Sequence, residues 1–447
     1  YQEGMVFRCK LDGSEVETLG WNFRNNWMIT VDSFGTLWQS DNDDDGNRGV
    51  RINYVMEYGN YGYKDEFTGA GWRTKRTNLE KTIPLRHWHL NDPGVMPNLL
   101  QTGAGSPTGI CVYEGDLLPK IFHGQIIHCD AGPSIVRAYP VKPSGAGYTA
   151  TTVNILDGAK RDKWFRPSDV KVAPDGSLIV ADWYDPGVGG HRMGDLDRGR
   201  LFRITPKGHK GYKVPKSDFK TAKGLVVALK NPNNSVRHIA FTELKNRKEA
   251  APILLKLLED GSPQHRARAL WLLAQNKGIR IPLLLKAAVD RDENIRALSI
   301  RISRQLKLNT LISIRNKADD NSPVVRRECL IALRHHKSPE APALWAYLAN
   351  AHDGKDRWYL EALGLAADRQ ENKFFDAWLK TSPKLNTPAA RDIIWRNRGT
   401  HAAKYLADII LDKTTPEADK PRYLRALDFI PKSKEKDQAL ARIALGL

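Results

Sequence analysis

The stretch Asp320-Asn-Ser-Pro-Val-Val-Arg-Arg-Glu-Cys-Leu330 decides the fold of the second half of this 447-residue chain. A polar turn that contains Ser322 and Pro323 caps a helix, and apolar residues then follow Arg326 at helical spacing. Four further copies place their arginine at steps of 29 to 31 residues, and two looser copies follow. The seven arginines are Arg237, Arg266, Arg296, Arg326, Arg357, Arg391 and Arg422. The period predicts stacked helix pairs, because one pair cannot bury its own apolar face.

The repeat resembles the short HEAT-like repeats of about 30 residues. Val-Arg, Ile-Arg and His-Arg dipeptides at one register carry this resemblance. It implies an all-α HEAT-like solenoid of about seven repeats over residues 216–447. Arginines at this position usually bond the turn of a neighbouring repeat, so a structural role is favoured over ligand contact. A segment rich in Pro, Gly and Lys, residues 206–215, is interpreted as the linker that precedes the solenoid.

The charge of the chain is uneven. Residues 1–205 contain 23 Lys and Arg against 25 Asp and Glu, whereas the remainder contains 46 against 26. The basic half is either a solvated surface or a face for an acidic partner. No run of about 18 apolar residues is present to span a bilayer. No CxxCH motif is present either, so we expect no covalent haem on this chain.

Residues 1–205 predict an all-β first half, because short strand-like runs alternate with Gly, Asp and Pro turns. Residues 31–41 align without gaps with residues 172–182, each as a strand, a Gly turn and a strand that ends in aspartate. A weaker copy covers residues 124–130, and a fourth is expected around residues 83–90. A spacing of about 45 residues is typical of β-propeller blades. Equivalent strand ends would then bring three aspartates together as a cation or substrate site. They are Asp41, Asp130 and Asp182.

The loop Asp41-Asn-Asp-Asp-Asp-Gly46 matches the opening of a calcium-binding loop. Alternating carboxylates and a Gly turn would surround a hard cation with oxygen atoms. The match stops there, because Ile52 occupies the position where an EF-hand has its bidentate Glu. Two interpretations remain open: calcium bound by Asp41, Asp43 and Asp45, or a solvated acidic turn.

Residues 22–41 and 164–178 resemble the soluble quinoprotein glucose and sorbosone dehydrogenase family. The phrases Trp88-His-Leu-Asn-Asp-Pro-Gly-Val-Met96 and Ala181-Asp-Trp-Tyr-Asp-Pro-Gly-Val-Gly-Gly-His191 resemble more closely the large bacterial "putative membrane-bound dehydrogenase" proteins. In that group a propeller is followed by HEAT-like repeats and often by a c-type cytochrome domain. The order of the two halves of this chain is the same.

The resemblance implies an exported oxidoreductase, periplasmic or extracellular, that oxidises a sugar or alcohol and passes electrons to a c-type cytochrome. It assigns Arg24, Asn25 and Arg166 to binding of pyrroloquinoline quinone (PQQ), and the acidic loop to the calcium that activates it. His128 and His191 are the candidates for the catalytic base.

The family closes six blades, whereas only part of that ring is recognised here. We therefore expect missing propeller blades or an N-terminal segment to be supplied by a separate chain or piece, and this chain alone to be inactive. The alternative is a non-catalytic propeller and solenoid that form a scaffold for protein or polysaccharide. Nucleic-acid binding is disfavoured by the quinoprotein-like half. Cys111 and Cys129 either form a disulfide or remain thiols, depending on the compartment.

Overall fold

The computed structural model describes residues 3–44, 46–187 and 197–447. Its first half is built from β-sheets and its second half from helices, as the sequence predicts. The strands are β1 (Gly4–Arg8), β2 (Glu17–Phe23), β3 (Asn26–Val31), β4 (Leu37–Asp41), β5 (Val50–Val55), β6 (Gly59–Asn60), β7 (Leu100–Gly103), β8 (Pro107–Tyr113), β9 (Gln125–Asp130), β10 (Ile135–Tyr139), β11 (Val141–Ser144), β12 (Gly147–Ala150), β13 (Val153–Asp157), β14 (Pro167–Val172), β15 (Leu178–Asp182) and β16 (Arg200–Ile204).

The strands form four sheets and one hairpin. The sheet orders are β1-β2-β6, β3-β4-β5-β7, β13-β10-β9-β8 and β14-β15-β16, and β11 and β12 form the hairpin. Only the β2–β6 pair among these is parallel within the described residues. The described sheets do not close into a ring. A complete propeller therefore stays a prediction.

The two aligned stretches occupy equivalent hairpins. Asn26 faces Asp41 across β3 and β4, and Pro167 faces Asp182 across β14 and β15. Gly35 lies at the turn of the first hairpin with a φ of 79°, a conformation that glycine adopts without steric cost. Local alternation and turn chemistry were enough to find this repeat. The third copy also lies on a strand, β9.

The fourth proposed copy is wrong, because the described residues 83–86 form helix α1 (Ile83–Arg86) and residues 87–91 form turns. Pro84 lies in the first turn of this helix. Proline lacks the N–H that a central strand must donate, and its fixed φ suits the first turn of a helix. Apolar alternation alone was not a sufficient basis for a strand here.

The described part of the chain after residue 205 contains 15 helices. They are α2 (Ala222–Leu229), α3 (Asn234–Leu244), α4 (Ala251–Asp260), α5 (Pro263–Leu273), α6 (Arg280–Ala287), α7 (Glu293–Gln305), α8 (Thr310–Lys317), α9 (Pro323–Leu333), α10 (Ala341–Ala349), α11 (Arg357–Ala366), α12 (Glu371–Leu379), α13 (Pro388–Arg396), α14 (Ala402–Leu411), α15 (Lys420–Asp428) and α16 (Lys434–Leu445). Polar turn residues cap many of them; Ser262, for example, accepts a hydrogen bond from the backbone N–H of His265. Within the described residues, no helix has the length and apolar character needed to cross a membrane.

Helices α5, α7, α9, α11, α13 and α15 contact one another in sequence and form one layer. Several repeat arginines bond the turn of the next pair, as expected. Arg296 donates to Asp320 at 2.8 Å from both Nε and Nη2, and Arg391 donates to Asp412 at 2.8 Å. The assignment to HEAT-like repeats and the bounds of the three segments, residues 1–205, 206–215 and 216–447, stay predictions.

The layer of odd-numbered helices packs on the sheets. Arg268 donates to Ser33 Oγ at 2.8 Å, Arg327 donates to the Ala146 carbonyl at 2.5 Å, and Arg304 pairs with Glu57. One buried apolar cluster contains residues of both halves. The basic residues of this layer are therefore partly used to bind the β half, which the sequence-based linker did not indicate.

All four cysteines lie in the described part of the chain, and all four are free thiols. Cys111 faces Ile127 rather than Cys129 across the β8–β9 pair. The structure thus has the reduced alternative for Cys111 and Cys129.

Candidate functional site around the acidic loop

Asp41, at the end of β4, is bonded within its own sheet. Its Oδ1 accepts the Asn25 backbone N–H at 2.8 Å, and its Oδ2 pairs with Arg51 Nη2 of β5 at 2.8 Å. Both side chains of this pair are fully buried. Arg51 also stacks over Trp88, with its Cζ 3.5 Å from the ring centroid. The charge of Asp41 is therefore already compensated by protein.

The other two strand-end aspartates repeat this arrangement. Asp182 accepts the Arg166 backbone N–H at 2.7 Å and pairs with Arg200 of β16 at 2.6 Å. Asp130 accepts the Ser106 backbone N–H at 2.8 Å and lies 3.7 Å from Arg137 of β10. Each pair closes the end of one sheet. Among the described residues no group of three His, Cys, Asp or Glu side chains is arranged to hold a metal ion, so the predicted convergence on a cation is not found there.

The acidic loop after Asp41 has carboxylates with different surroundings. Asp43 is buried, which raises its pKa, and its Oδ2 accepts the Gly49 backbone N–H at 2.5 Å. Asp44 Oδ1 accepts from Arg24 Nε and from Tyr63 Oη, each at 3.2 Å. Asp45 lies outside the described residues. Calcium on Asp41, Asp43 and Asp45 therefore stays a prediction.

Five side chains meet at this loop, and we call them the loop cluster: Arg24, Asp44, Asn47, Tyr63 and His87. Asn47 Nδ2 lies 2.9 Å from His87 Nδ1, and the rings of Tyr63 and His87 have centroids 5.6 Å apart. Burial lowers the pKa of His87 to about 3, so its imidazole is neutral at pH 7. The side chains of Arg24 and Asp44 remain 25% and 36% exposed. The cluster thus presents a guanidinium and a carboxylate to solvent beside a partly buried phenol and a buried, neutral imidazole.

Tyr63 and His87 were not predicted as site residues. The signal that could have found His87 is its position directly before Trp88, in the segment that carries the dehydrogenase resemblance. Trp88 is fully buried and its Nε1 donates to the Gly49 carbonyl at 2.7 Å. This bond fixes the segment around residue 88 on the end of the acidic loop.

The predicted cofactor-binding residues lie in two places. Arg24 and Asn25 stand together beside the acidic loop, and Asn25 is exposed. Arg166 precedes β14, where its Nη1 donates to Ser134 Oγ at 2.6 Å and its Nη2 to the Pro186 carbonyl at 3.4 Å. The guanidinium of Arg24 is thus engaged by Asp44 and that of Arg166 by a neighbouring turn, and the assignment of Arg24, Asn25 and Arg166 to PQQ stays a prediction.

The two candidates for the catalytic base are His128 and His191, and the structure describes only His128. His128 lies fully buried in β9, with Nδ1 3.3 Å from Tyr139 Oη, and burial lowers its pKa to about 3. It has no surface exposed to solvent or to a substrate. His191 lies outside the described residues.

Comparison with known proteins gives one family match. Residues 2–207 match the model of a domain of unknown function, DUF7133. No curated protein matches the chain.

Three solved structures are similar at low identity. A putative oxidoreductase (glucose dehydrogenase) from Thermus thermophilus is 19% identical with a TM-score of 0.29, over 42% of this chain and 47% of that one. The PQQ-bound form of an aldose sugar dehydrogenase from Streptomyces coelicolor is 18% identical with a TM-score of 0.30, over 45% and 52%. A glucose dehydrogenase is 15% identical with a TM-score of 0.30, over 44% and 49%. The chain thus spans about half the length of these structures.

Proposed function

We propose that this chain is part of an exported quinoprotein-type oxidoreductase that oxidises a sugar or alcohol. The observation that supports this most directly is the loop cluster. Arg24 is held at a strand end by the bonds that Asp41 accepts from the backbone, and its partly exposed guanidinium lies beside Tyr63 Oη through their shared partner Asp44. A planar guanidinium suits recognition of a carboxylate.

Arg24 and Asn25 would hold a carboxylate of PQQ, and Tyr63 would orient Asp44 by its hydrogen bond. Bound quinone supplies hydride acceptance at this site. A base must lie within hydrogen-bond reach of the substrate hydroxyl. His191 remains the proposed base. Calcium at the acidic loop belongs to the same proposal, and replacing Asp43 by Asn should lower the calcium content measured by elemental analysis.

The proposed partners are missing propeller blades, a c-type cytochrome in the periplasm or outside the cell, and an acidic protein. The acidic partner is proposed to bind outside the odd-numbered helices, because arginines of those helices contact the sheets. Residues 207–216 are all exposed and carry a lysine at every third position. These lysines are Lys207, Lys210, Lys213 and Lys216.

The direct test is PQQ binding to the full chain, measured by isothermal titration calorimetry with and without calcium. Arg24→Met should weaken binding at least tenfold. Arg315→Met is the matched control, because Arg315 forms an exposed pair with Glu340 inside the helical half. Absence of PQQ binding to the wild type would reject the quinoprotein assignment. We expect no turnover of sugars or alcohols by this chain alone, since the ring of blades is incomplete.

The second candidate is a non-catalytic scaffold for protein or polysaccharide. The compensated strand-end pairs favour it, because Asp41 and Asp182 each form a close pair with an arginine in their own sheet. A scaffold would show no PQQ binding but would be retarded in native gels that contain an acidic polysaccharide. Retardation together with PQQ binding would favour the oxidoreductase.

A further inference from the structure

The chain between β6 and β7, residues 61–98, brings two residues to the loop cluster, Tyr63 and His87. We call it the connecting segment. Its only described helix is the four-residue α1, so isolated backbone hydrogen bonds, such as that from the Met96 N–H to the Asn60 carbonyl, and side chains hold it. On the sheet side it is held by Asn22, whose carbonyl accepts the Tyr63 backbone N–H at 2.9 Å and whose Oδ1 accepts the Lys64 backbone N–H at 3.0 Å.

The helical half holds the other side of the connecting segment. Arg398, which follows α13, donates to both carboxylate oxygens of Glu66 at 2.9 Å and to the Pro93 carbonyl at 2.6 Å. Glu66 also accepts from Asn60 Nδ2 at 3.2 Å, and Asn60 Oδ1 accepts from Asn22 Nδ2 at 2.8 Å. A chain of hydrogen bonds therefore connects Arg398 through Glu66 and Asn60 to Asn22, the residue that binds the Tyr63 backbone.

A second arginine of the helical half binds the same segment. Arg425 of α15 donates to both oxygens of Asp92 at 2.9 Å and also pairs with Asp65. All three side chains are at most 3% exposed. The guanidiniums of Arg398 and Arg425 lie 4.8 and 4.7 Å from the ring centroid of Phe429. Buried, bidentate pairs of this kind are geometrically specific.

Helix α11 adds backbone contacts near the end of the segment. Arg357 Nη2 donates to the Asp92 carbonyl at 2.9 Å and to the Val95 carbonyl at 3.1 Å, and Glu361 accepts the Gly94 backbone N–H at 3.2 Å. Gly94 has a φ of 98°, and a Cβ there would lie 2.3 Å from Arg398 Nη2. The segment is thus fitted closely to three helices of the second half.

We propose that the helical half positions the loop cluster, with Arg398 and Arg425 as positioning residues that hold the connecting segment and thereby place Tyr63 and His87 against Asp44. The segment lies between the sheets and the helices and is bonded to both. Loss of the helical contacts should loosen it while the sheets stay folded. For ligand binding, the inference rests on the proposed quinone site, but the ordering of the segment does not.

The test compares full-length Arg398→Met, Arg425→Met and the double variant with Arg315→Met by hydrogen-exchange mass spectrometry. In the double variant we expect amides of residues 61–98 to exchange at least tenfold faster, while the strands 125–130 and 178–182 keep their protection. Unchanged exchange in the segment, or an equal increase in every sheet, would overturn the proposal. Glu66→Gln removes the partner from the segment side and gives the same test should the double variant fail to fold.

Two further readouts separate positioning from general stabilisation. Modification of His87 by diethyl pyrocarbonate should accelerate at least tenfold in the double variant. In Arg425→Lys the amides of residues 61–98 should exchange faster than in wild type but more slowly than in Arg425→Met, since lysine keeps the charge but not the bidentate geometry. PQQ affinity should fall at least tenfold in the double variant and stay unchanged in Arg315→Met. If the wild type does not bind PQQ, the proposed function fails, and hydrogen exchange still decides whether the helical half positions the connecting segment. Weaker PQQ binding in the double variant without faster exchange of residues 61–98 would count against that positioning role.

Discussion

Replacing Arg51 by Met tests whether Asp41 is a structural partner or a metal ligand. Asp41 and Arg51 are fully buried and bonded by Arg51 Nε at 3.2 Å and Nη2 at 2.8 Å. Met has a similar reach but no charge, so the variant leaves a carboxylate without a partner in a fully buried position. It also removes the cation–π contact with Trp88.

The expected cost follows from the burial of both groups. Removing one partner of a buried pair costs about 3–5 kcal/mol, because the remaining charge is uncompensated. Asp41→Asn in the Arg51→Met background removes that charge, while its amide oxygen can still accept the Asn25 N–H. A neutral Asn beside a neutral Met destabilises the fold far less than an unpaired buried carboxylate does. We therefore expect the double variant to be about 2–3 kcal/mol more stable than Arg51→Met alone.

The assay is urea denaturation of wild type, both single variants and the double variant, each in EDTA and in calcium. A coupling energy of about 2–3 kcal/mol in EDTA is the expected result. Additivity within about 0.5 kcal/mol would refute the ion-pair reasoning. Stabilisation of the wild type by calcium that is lost in Asp41→Asn but kept in Arg51→Met would show that Asp41 is a metal ligand after all.

Three further predictions follow from burial and contacts. Burial lowers the pKa of His128 to about 3, so as pH falls below about 6.5 the unfolded chain binds a proton that the folded chain does not. Between pH 7 and pH 5 the free energy of unfolding should therefore fall by about 2 kcal/mol less in His128→Phe than in wild type, measured by urea denaturation. An equal fall in both proteins would contradict a buried neutral ring. Cys9 is exposed whereas burial raises the pKa of Cys111 to about 12, so native protein should show one reactive thiol and urea-denatured protein four; two in urea would indicate a disulfide. Residues 213–447 expressed alone should keep a helical circular-dichroism spectrum and a cooperative melt. Their stability should be lower than in the full chain, because arginines such as Arg268 lose their partners on the sheets. A sample with little helix would contradict the predicted independent stack of helices.

The helices could be predicted because their signals are local. A capping residue, a proline in the first turn and an apolar spacing all fall within one helix, and the pattern recurs about every 30 residues. The contacts of the helical half with the sheets could not be predicted in this way. Arg327 follows the repeat arginine Arg326 directly, yet Arg326 bonds the Asp320 carbonyl and Arg327 reaches Ala146, 181 residues away. The sequence period therefore predicts the position of the repeat arginine Arg326, but not that the next residue, Arg327, binds the β half.

The strand-end aspartates show how far a carboxylate motif can be interpreted. Asp41 was predicted as a metal ligand from its oxygen-rich loop, but the residue that neutralises it lies ten positions later, beyond that loop. The same arrangement recurs in three sheets: an aspartate ends one strand, and an arginine on the next strand pairs with it. The register places Asp41 directly opposite Arg51 across β4 and β5, and Asp182 directly opposite Arg200 across β15 and β16. A strand-ending aspartate with an arginine at the facing position of the next strand is therefore interpreted first as a structural pair. By that criterion Asp43, which lies beyond the strand end and faces no arginine across a strand pair of the described sheets, is the better place to look for a bound cation. Asp44 is already paired with Arg24, and a bound anion would have to separate that pair.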